Sequence, residues 1–386
     1  MRPATELIHR PAAADENVSP LTSPIYETTT FTFASAEEVR AYNEGRSRKY
    51  LYSRYSNPTV VETERTIAAL EGADGALVLS SGQAATSTAL LALLAGGGEV
   101  VCSSAIYGGT LHLISGLLAK FGIRARFVSL EELADPARLL SGDARVVWFE
   151  SPINPTLRCV DIARVAAAAR EAGAVSIVDN TFASPINQQP IALGVDLVMH
   201  SATKYLNGHS DVTAGVLAGR ADLMQEMLKV RKMLGTVLDP SAAYALGRGL
   251  KTLAVRMECH NANAMAVAQW LERDPRVETV YYPGLASHPD HAIAARQMRG
   301  FGGMVCVDLG GGYERAAAFF DRLQLINRAA SLGGVESLCS LPVLTSQWGH
   351  SEEELARAGV THSMARLSIG LEDPEDLIGD LDQALG

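Results

Sequence analysis

Val175-Ser176-Ile177-Val178 and Val195-Asp196-Leu197-Val198-Met199 are two short, mainly apolar runs, and polar residues with reactive side chains follow each of them closely. Asp179 comes directly after the first run, and Ser201-Ala202-Thr203-Lys204 comes soon after the second. Such runs predict buried strands of a mainly parallel, helix-covered sheet. Ligands of open α/β sheets bind at the carboxyl ends of the strands. The sequence therefore predicts an α/β fold with Asp179 and Lys204 at its binding edge.

These side chains suit pyridoxal 5'-phosphate. The cofactor needs an amine that can bond to its aldehyde, a carboxylate that keeps its ring nitrogen protonated, and small donors for its phosphate. Lys204, Asp179, and Ser201 with Thr203 can supply all three. Taken singly, Asp179 could instead cap a helix and Lys204 could be a solvated surface lysine.

Further motifs accompany these two segments along nearly the whole chain. They are Pro24 to Thr28, Tyr52 to Thr59, Ser80 to Ala85, Tyr107 to Thr110, Glu150 to Thr156, Ser331 to Gly334 and Arg366 to Gly370. With these motifs in this order, the chain resembles the transsulfuration family of fold-type I pyridoxal phosphate enzymes, which includes methionine γ-lyase, cystathionine γ-lyase and cystathionine γ-synthase. The resemblance implies a pyridoxal phosphate-dependent transferase-like fold with a mainly parallel central sheet and a smaller C-terminal α/β domain.

Composition agrees with an enzyme that acts on a small amino acid. The chain has 386 residues and a net charge of −10, and no cluster of Lys and Arg stands out, which disfavours nucleic-acid and membrane partners. The N-terminus lacks the apolar core of a signal peptide, and the longest apolar run, Ala89 to Ala95, is too short to span a bilayer. We therefore expect a cytoplasmic protein. Five widely spaced cysteines and no ligand cluster predict reduced thiols and no metal site.

Three regions are expected. Residues 1–56 contain several prolines and suit an extended arm that contributes to a neighbouring subunit's site. Residues 57–249 alternate apolar runs such as Val146 to Phe149 with helical stretches such as Ile162 to Ala172, which predicts the large cofactor-binding domain. Residues 250–386 are expected to form the C-terminal α/β domain, entered through a helix from Leu250 to Leu271.

The resemblance assigns the cofactor contacts. The amides of Gly82 and Gln83 hold the phosphate, although methionine or leucine is more usual at the second position. Tyr52 and Arg54 reach the phosphate of a neighbouring subunit, which implies an active dimer and favours a homotetramer built from two such dimers. The alternative for Gly82 and Gln83 is that small residues there only begin an ordinary helix. The alternative for Arg54 is that it belongs to a basic run on the surface.

The remaining assignments concern the ring and the substrate. The resemblance implies that Tyr107 stacks on the pyridine ring and donates a proton. The alternative is that its ring only packs in the core. Asn154 hydrogen-bonds the phenolic oxygen, although Asn-Pro is otherwise a turn signal. Arg366, with Ser331 beside it, binds the α-carboxylate of the substrate. A buried structural ion pair is the alternative for Arg366.

The expected activity is a C–S γ-lyase reaction that eliminates a thiol from methionine or a related homocysteine thioether, giving 2-oxobutanoate and ammonia. Relatives that handle cystathionine generally carry an acid where this chain has Ala330, which favours an apolar tail on the substrate. Methionine γ-lyases usually carry a cysteine where this chain has Gly109, so alternatives stay open. They are γ-replacement by a cystathionine γ-synthase or an O-acylhomoserine sulfhydrylase, cystathionine γ-lyase activity, and a non-catalytic protein that retains the fold.

Overall fold

The computed structural model describes residues 2–8, 20–94, 96–133, 135, 139 and 143–386. Its larger sheet has seven strands in the order β1-β7-β6-β5-β4-β2-β3. Strands β6, β5, β4, β2 and β3 run parallel, and β7 is antiparallel to both of its neighbours. The strands are β1 Gly75–Leu79, β2 Glu99–Ser103, β3 Arg124–Val128, β4 Ala144–Glu150, β5 Val175–Asp179, β6 Leu197–Ser201 and β7 Gly215–Gly219.

Helices cover this sheet, which is why its central strands are apolar on both faces. The α-helices in this part of the chain are Pro58–Glu71, Gly82–Leu94, Gly108–His112, Leu130–Leu133, Ile162–Glu171, Ser184–Asn187, Ala221–Leu234 and Pro240–Leu250. A π-helical turn, Leu113–Leu117, and two 3₁₀ turns, Leu118–Phe121 and Pro190–Leu193, complete the set among the described residues. Local chemistry starts the first long helix: Asn57 caps it by accepting from the Thr59 N–H, and Pro58 occupies its first position.

A second sheet lies further along the chain, with five strands in the order β10-β11-β12-β9-β8. Its strands are β8 Thr279–Tyr281, β9 Met304–Asp308, β10 Asn327–Arg328, β11 Leu338–Ser340 and β12 Met364–Ser368. Its helical segments are Leu253–Arg273, His291–Gln297, Gly312–Arg322, Pro342–Leu344 (3₁₀), Glu352–Ala358 and Pro374–Leu385. Each sheet has its own apolar core. The boundaries at residues 57 and 250 stay predictions.

Two predicted elements shift by a few residues. The run from Val195 forms a strand only from Leu197, which extends through Ser201. The helix expected from Leu250 begins at Leu253, since a separate helix ends at Leu250 and two residues intervene. Asp179 and Ser201 are consequently the last residues of their strands.

The N-terminal segment is largely exposed. It contains the helices Pro3–Ile8 and Ala36–Asn43, and the second of these has no buried residue. An isolated bridge pairs Thr30 with Tyr52. Residues 9–19 of the predicted arm lie outside the described residues.

Within the described residues, no helix is both long and apolar enough to cross a membrane. The same residues contain no group of three or more His, Cys, Asp or Glu side chains placed to hold a metal ion. All five cysteines are unpaired, and four of them are buried. The cytoplasmic location stays a prediction.

Candidate active site

A cavity of about 550 Å³ opens at the carboxyl ends of the parallel strands. A volume of this size suits a small cofactor together with an amino acid. Nine residues predicted from the sequence line it: Gly82, Gln83, Tyr107, Asn154, Asp179, Ser201, Thr203, Lys204 and Arg366. Ser331 joins them through a hydrogen bond from Lys204. The structure thus brings together ten side chains that are widely scattered in the sequence.

Lys204 lies just after β6, and its amine faces the cavity. Nζ donates to Ser331 Oγ at 2.9 Å, and the chain provides no carboxylate partner for Lys204 among the described residues. Burial and, after it, the positive charge of Arg366 lower the pKa of the Lys204 amine to about 8. A substantial fraction of the amine is therefore neutral near physiological pH, as bonding to an aldehyde requires.

Asp179 ends β5 and presents a carboxyl group to the same cavity. The Thr181 N–H and hydroxyl both donate to Asp179 Oδ1, the N–H at 2.9 Å. Burial raises the pKa of Asp179, and the hydrogen bonds from Thr181 oppose that shift. No Lys or Arg among the described residues forms an ion pair with this carboxyl group. A protonated ring nitrogen would supply the missing positive charge.

The end of the cavity that is predicted to hold the phosphate, called the phosphate end below, is formed by the start of helix Gly82–Leu94. Ser81 caps the helix by accepting from the Ala84 N–H at 3.0 Å, and the first helical N–H groups have no partner within the helix. These N–H groups and the helix dipole favour an anion. A Cβ on Gly82 would come within 3.1 Å of the Ser201 side chain, so glycine permits the close approach of the serine hydroxyl.

Thr203 lines the cavity, and its hydroxyl also has hydrogen-bond partners within the chain. Its Oγ1 donates to the Ala214 carbonyl at 3.2 Å and accepts from the Ala214 N–H at 3.0 Å. This hydroxyl therefore fixes the loop that carries Lys204, and its proton is already shared with a backbone carbonyl. Its predicted contact with the cofactor stays a prediction.

Arg366 is buried but forms no ion pair with any described residue. Nη1 donates to Asn154 Oδ1 at 2.8 Å and Nη2 to the Ser331 carbonyl at 3.3 Å, while the buried Nε has no partner. Burial lowers the pKa of this guanidinium. A structural ion pair does not account for Arg366 in the described structure. An uncompensated guanidinium beside a cavity instead fits a carboxylate ligand.

Tyr107 places its ring at the mouth of the cavity and is 46% exposed. The ring lies against Gly109, because a Cβ there would come within 2.5 Å of Tyr107 Cε1 and would also overlap the Gln83 amide. Gly109 does not need glycine for its backbone angles, since no positive φ is found there. The two departures from the resembling family, Gln83 and Gly109, are therefore coupled in space.

Tyr52 and Arg54 do not line the cavity of their own chain. The Arg54 guanidinium donates to the Lys232 carbonyl and lies 4.9 Å from the centre of the Tyr55 ring. Both are partly exposed. Their contact with the site of a neighbouring subunit stays a prediction.

Sequence reasoning assigned no role to several residues of the cavity, among them Glu150 and Thr181. Thr181 Oγ1 also accepts from the Ser201 N–H at 2.8 Å, so it joins the carboxylate of Asp179 to the phosphate end. Glu150 lies beside Asp179 in the sheet register. Their position in the sequence could have identified them, since both lie within two residues of the carboxyl end of a strand.

A family model for Cys/Met metabolism PLP-dependent enzymes matches residues 4–386. The chain belongs to this family. It is 42% identical over 384 residues to an L-methionine gamma-lyase of Pseudomonas putida, covering 99% of this chain and 96% of that protein. It is 43% identical over 382 residues to a cystathionine gamma-lyase of Dictyostelium discoideum, covering 99% and 97%. The crystal structure of a cystathionine gamma synthase from Xanthomonas oryzae pv. oryzae in complex with cystathionine has a TM-score of 0.93 and 38% identity, covering 100% of this chain and 98% of that one.

Membership of the Cys/Met metabolism family confirms three predictions: the transsulfuration resemblance, the fold class and pyridoxal phosphate as cofactor. The protein is a pyridoxal phosphate-dependent enzyme of the carbon–sulfur lyase type. The non-catalytic alternative is therefore wrong. Relatives of similar identity carry the names of elimination and replacement enzymes, so they do not favour one reaction over the other.

Proposed function

We propose that the protein is a C–S γ-lyase that eliminates a thiol from methionine, homocysteine or a related thioether. The observation that carries this choice is the wall of the cavity that includes Ala330, Leu332 and Leu344. It contains no acid at position 330, so a distal ammonium would find no carboxylate there. An apolar or short thioether tail is favoured by burial against such a wall.

The cavity residues divide the remaining work. Lys204 would hold the cofactor through a bond to its aldehyde, Asp179 would face the ring nitrogen, and the Gly82 and Gln83 amides with Ser201 would face the phosphate. Bound pyridoxal phosphate supplies an electron sink for the charge left when a proton leaves the substrate Cα. Arg366 binds the α-carboxylate and thereby orients the Cα–H bond.

Two side chains move protons in this proposal. The Lys204 amine would accept the Cα proton in its neutral form, which its lowered pKa of about 8 makes available near that pH. The Tyr107 hydroxyl donates a proton to the departing sulfur. Its ring lies against Gly109, and the residue lines the cavity. The expected products from methionine are 2-oxobutanoate, ammonia and methanethiol.

The test is product release by the cofactor-loaded protein given methionine, homocysteine, cystathionine or O-acetylhomoserine, each with and without cysteine. 2-Oxobutanoate and thiol from methionine without added cysteine support the γ-lyase. Lys204→Ala is the control and should abolish release. No product from methionine, together with condensation of O-acetylhomoserine and cysteine, would replace the proposal with the second candidate, a γ-replacement enzyme. The structural likeness to a cystathionine gamma synthase supports that candidate.

We also propose that the active unit is a dimer within a homotetramer, with Tyr52 and Arg54 completing the neighbouring site. The exposed arm and their absence from the cavity of their own chain support this arrangement. Mixing inactive Lys204→Ala and Arg54→Ala proteins under subunit exchange should regenerate some active sites, because one hybrid site then carries both wild-type residues. A fully active monomer in light scattering would contradict the proposal.

A further inference from the structure

Glu150 is a buried carboxyl group for which the proposed reaction has no use. It is the last residue of β4, is 4% exposed and lines the cavity. Its partner in the neighbouring strand β5 is Asp179. Burying a second carboxyl group so close to the one that faces the ring nitrogen costs free energy. That cost suggests that Glu150 has a role in the site.

Two backbone N–H groups converge on this carboxyl. The Tyr107 N–H donates to Glu150 Oε1 at 2.6 Å. The Asn154 backbone N–H also lies close enough to the Glu150 carboxyl to lower its pKa. These two N–H groups belong to loops that follow different strands, β2 and β4. One side chain therefore adjoins two separate segments of the site.

Each of these segments carries a functional side chain. On one side, the Tyr107 backbone begins the short helix Gly108–His112, and the Tyr107 ring packs on Gly109 within it, so fixing this backbone fixes the ring. On the other side, Asn154 Oδ1 accepts from Arg366 Nη1 at 2.8 Å. Glu150 thus lies between the aromatic face and the carboxylate-binding end of the cavity.

The charges around Glu150 agree with a positioning role. Asp179 faces it from the neighbouring strand, Cys102 lies near enough for the carboxyl to raise the pKa of its thiol, and Glu150 forms no ion pair with the described residues. Burial and, after it, the negative charge of Asp179 raise the pKa of the Glu150 carboxyl well above its usual range. The raised pKa reflects the cost of a second buried negative charge beside Asp179.

We propose that Glu150 is a positioning residue that sets the Tyr107 ring and the Asn154–Arg366 pair in one geometry through their backbone amides. The proposal rests on the roles given above to Tyr107 and Arg366. It does not depend on which sulfur amino acid is the substrate. Glu150 itself does not touch the reacting atoms.

The experiment compares Glu150→Leu, which removes both acceptor oxygens, with Glu150→Gln, which keeps one. Visible circular dichroism of the bound cofactor reports the asymmetry around its ring, and spectral titration with L-norleucine, which has no leaving group, gives an amino-acid Kd. For Glu150→Leu we expect an altered dichroic band, a Kd raised about tenfold, and a kcat lowered about 10²-fold by misplacement on the order of 1 Å. Glu150→Gln should fall between this variant and wild type.

Asp380 offers a matched control. It is another buried carboxyl that accepts backbone N–H groups, those of Gln324, Leu325 and Ile326, but it does not line the cavity. Asp380→Asn should lower thermal stability and leave the dichroic band and the norleucine Kd unchanged. If Glu150→Leu does not fold, Glu150→Gln against Asp380→Asn gives the same comparison.

A double-mutant cycle tests the connection to Tyr107. In a Tyr107→Phe background, which has already lost the hydroxyl, Glu150→Gln should cost less in kcat than in wild type. The proposal would be overturned if Glu150→Gln lowered kcat by the same factor in both backgrounds. It would also be overturned if the Glu150 variants had the dichroic band and norleucine Kd of wild type. An inactive wild-type protein would count against the proposed function alone, because the dichroic and binding measurements do not require turnover.

Discussion

Arg366→Met should weaken amino-acid binding without destabilising the protein. Arg366 is buried, has an unpartnered Nε, and has no acidic partner among the described residues. Removing one partner of a buried, hydrogen-bonded charge pair costs about 2–5 kcal/mol, which corresponds to a rise in Kd of roughly 30-fold to 4,000-fold. Methionine fills similar space without a charge to desolvate. Losing the hydrogen bonds to Asn154 and Ser331 lowers the stability of the folded protein. Removing a buried charge raises it, so the two effects oppose each other.

The assay is a comparison of two ligands that differ only in the carboxylate. L-Norleucine and pentylamine are titrated against the cofactor-loaded wild type and Arg366→Met, and the ratio of their Kd values measures recognition of the carboxylate. We expect the ratio of the norleucine Kd to the pentylamine Kd to rise by about 10² or more in the variant, while the melting temperature drops by no more than about 2 °C. Arg366→Lys should recover only part of the ratio, because lysine keeps the charge but lacks the planar fork.

A structural ion pair would give the opposite result. Breaking a buried pair by removing one partner destabilises a protein by about 3–5 kcal/mol. A large drop in melting temperature with an unchanged norleucine to pentylamine ratio would therefore refute the assignment of Arg366 to the substrate carboxylate.

Three further outcomes are expected. The rate at which the apoprotein captures pyridoxal phosphate should rise with pH around a midpoint near 8, because the neutral form of Lys204 reacts and its pKa is lowered to about that value; a midpoint near 10 would contradict this. Thr181→Val should raise the pKa of Asp179 further and weaken cofactor retention, measured by equilibrium dialysis. The loss of retention should shrink as the pH rises. Thr181→Ser, which keeps the hydroxyl, is the control. Gly109→Ala should lower kcat by about 10²-fold in steady-state kinetics because its Cβ displaces the tyrosine ring, whereas Gly116→Ala, which has open space at its Cβ, should not.

Much of the fold was predictable because its signals are local. The apolar runs that end at Asp179 and precede Lys204 form adjacent strands of the larger sheet, and the helix expected from Ile162 is present with nearly the expected end. Element boundaries were less predictable: the helix expected from Leu250 begins at Leu253, and no composition change marks the break. Breaks of this kind depend on how two helices pack, which periodicity does not record.

The sequence by itself determined the family, the cofactor and the residues that converge on the cavity, since each motif keeps its chemistry wherever the chain folds. Only the tertiary structure decided which polar groups are already satisfied. Arg366 and Asn154 lie 212 residues apart and share a hydrogen bond, and Glu150 binds the backbone of Tyr107 across 43 residues. Whether a buried charge has a partner depends on distances between elements far apart in the chain. That is why a guanidinium without an ion-pair partner, a carboxyl group that accepts from a distant backbone N–H and a glycine in contact with a tyrosine ring became visible only in three dimensions.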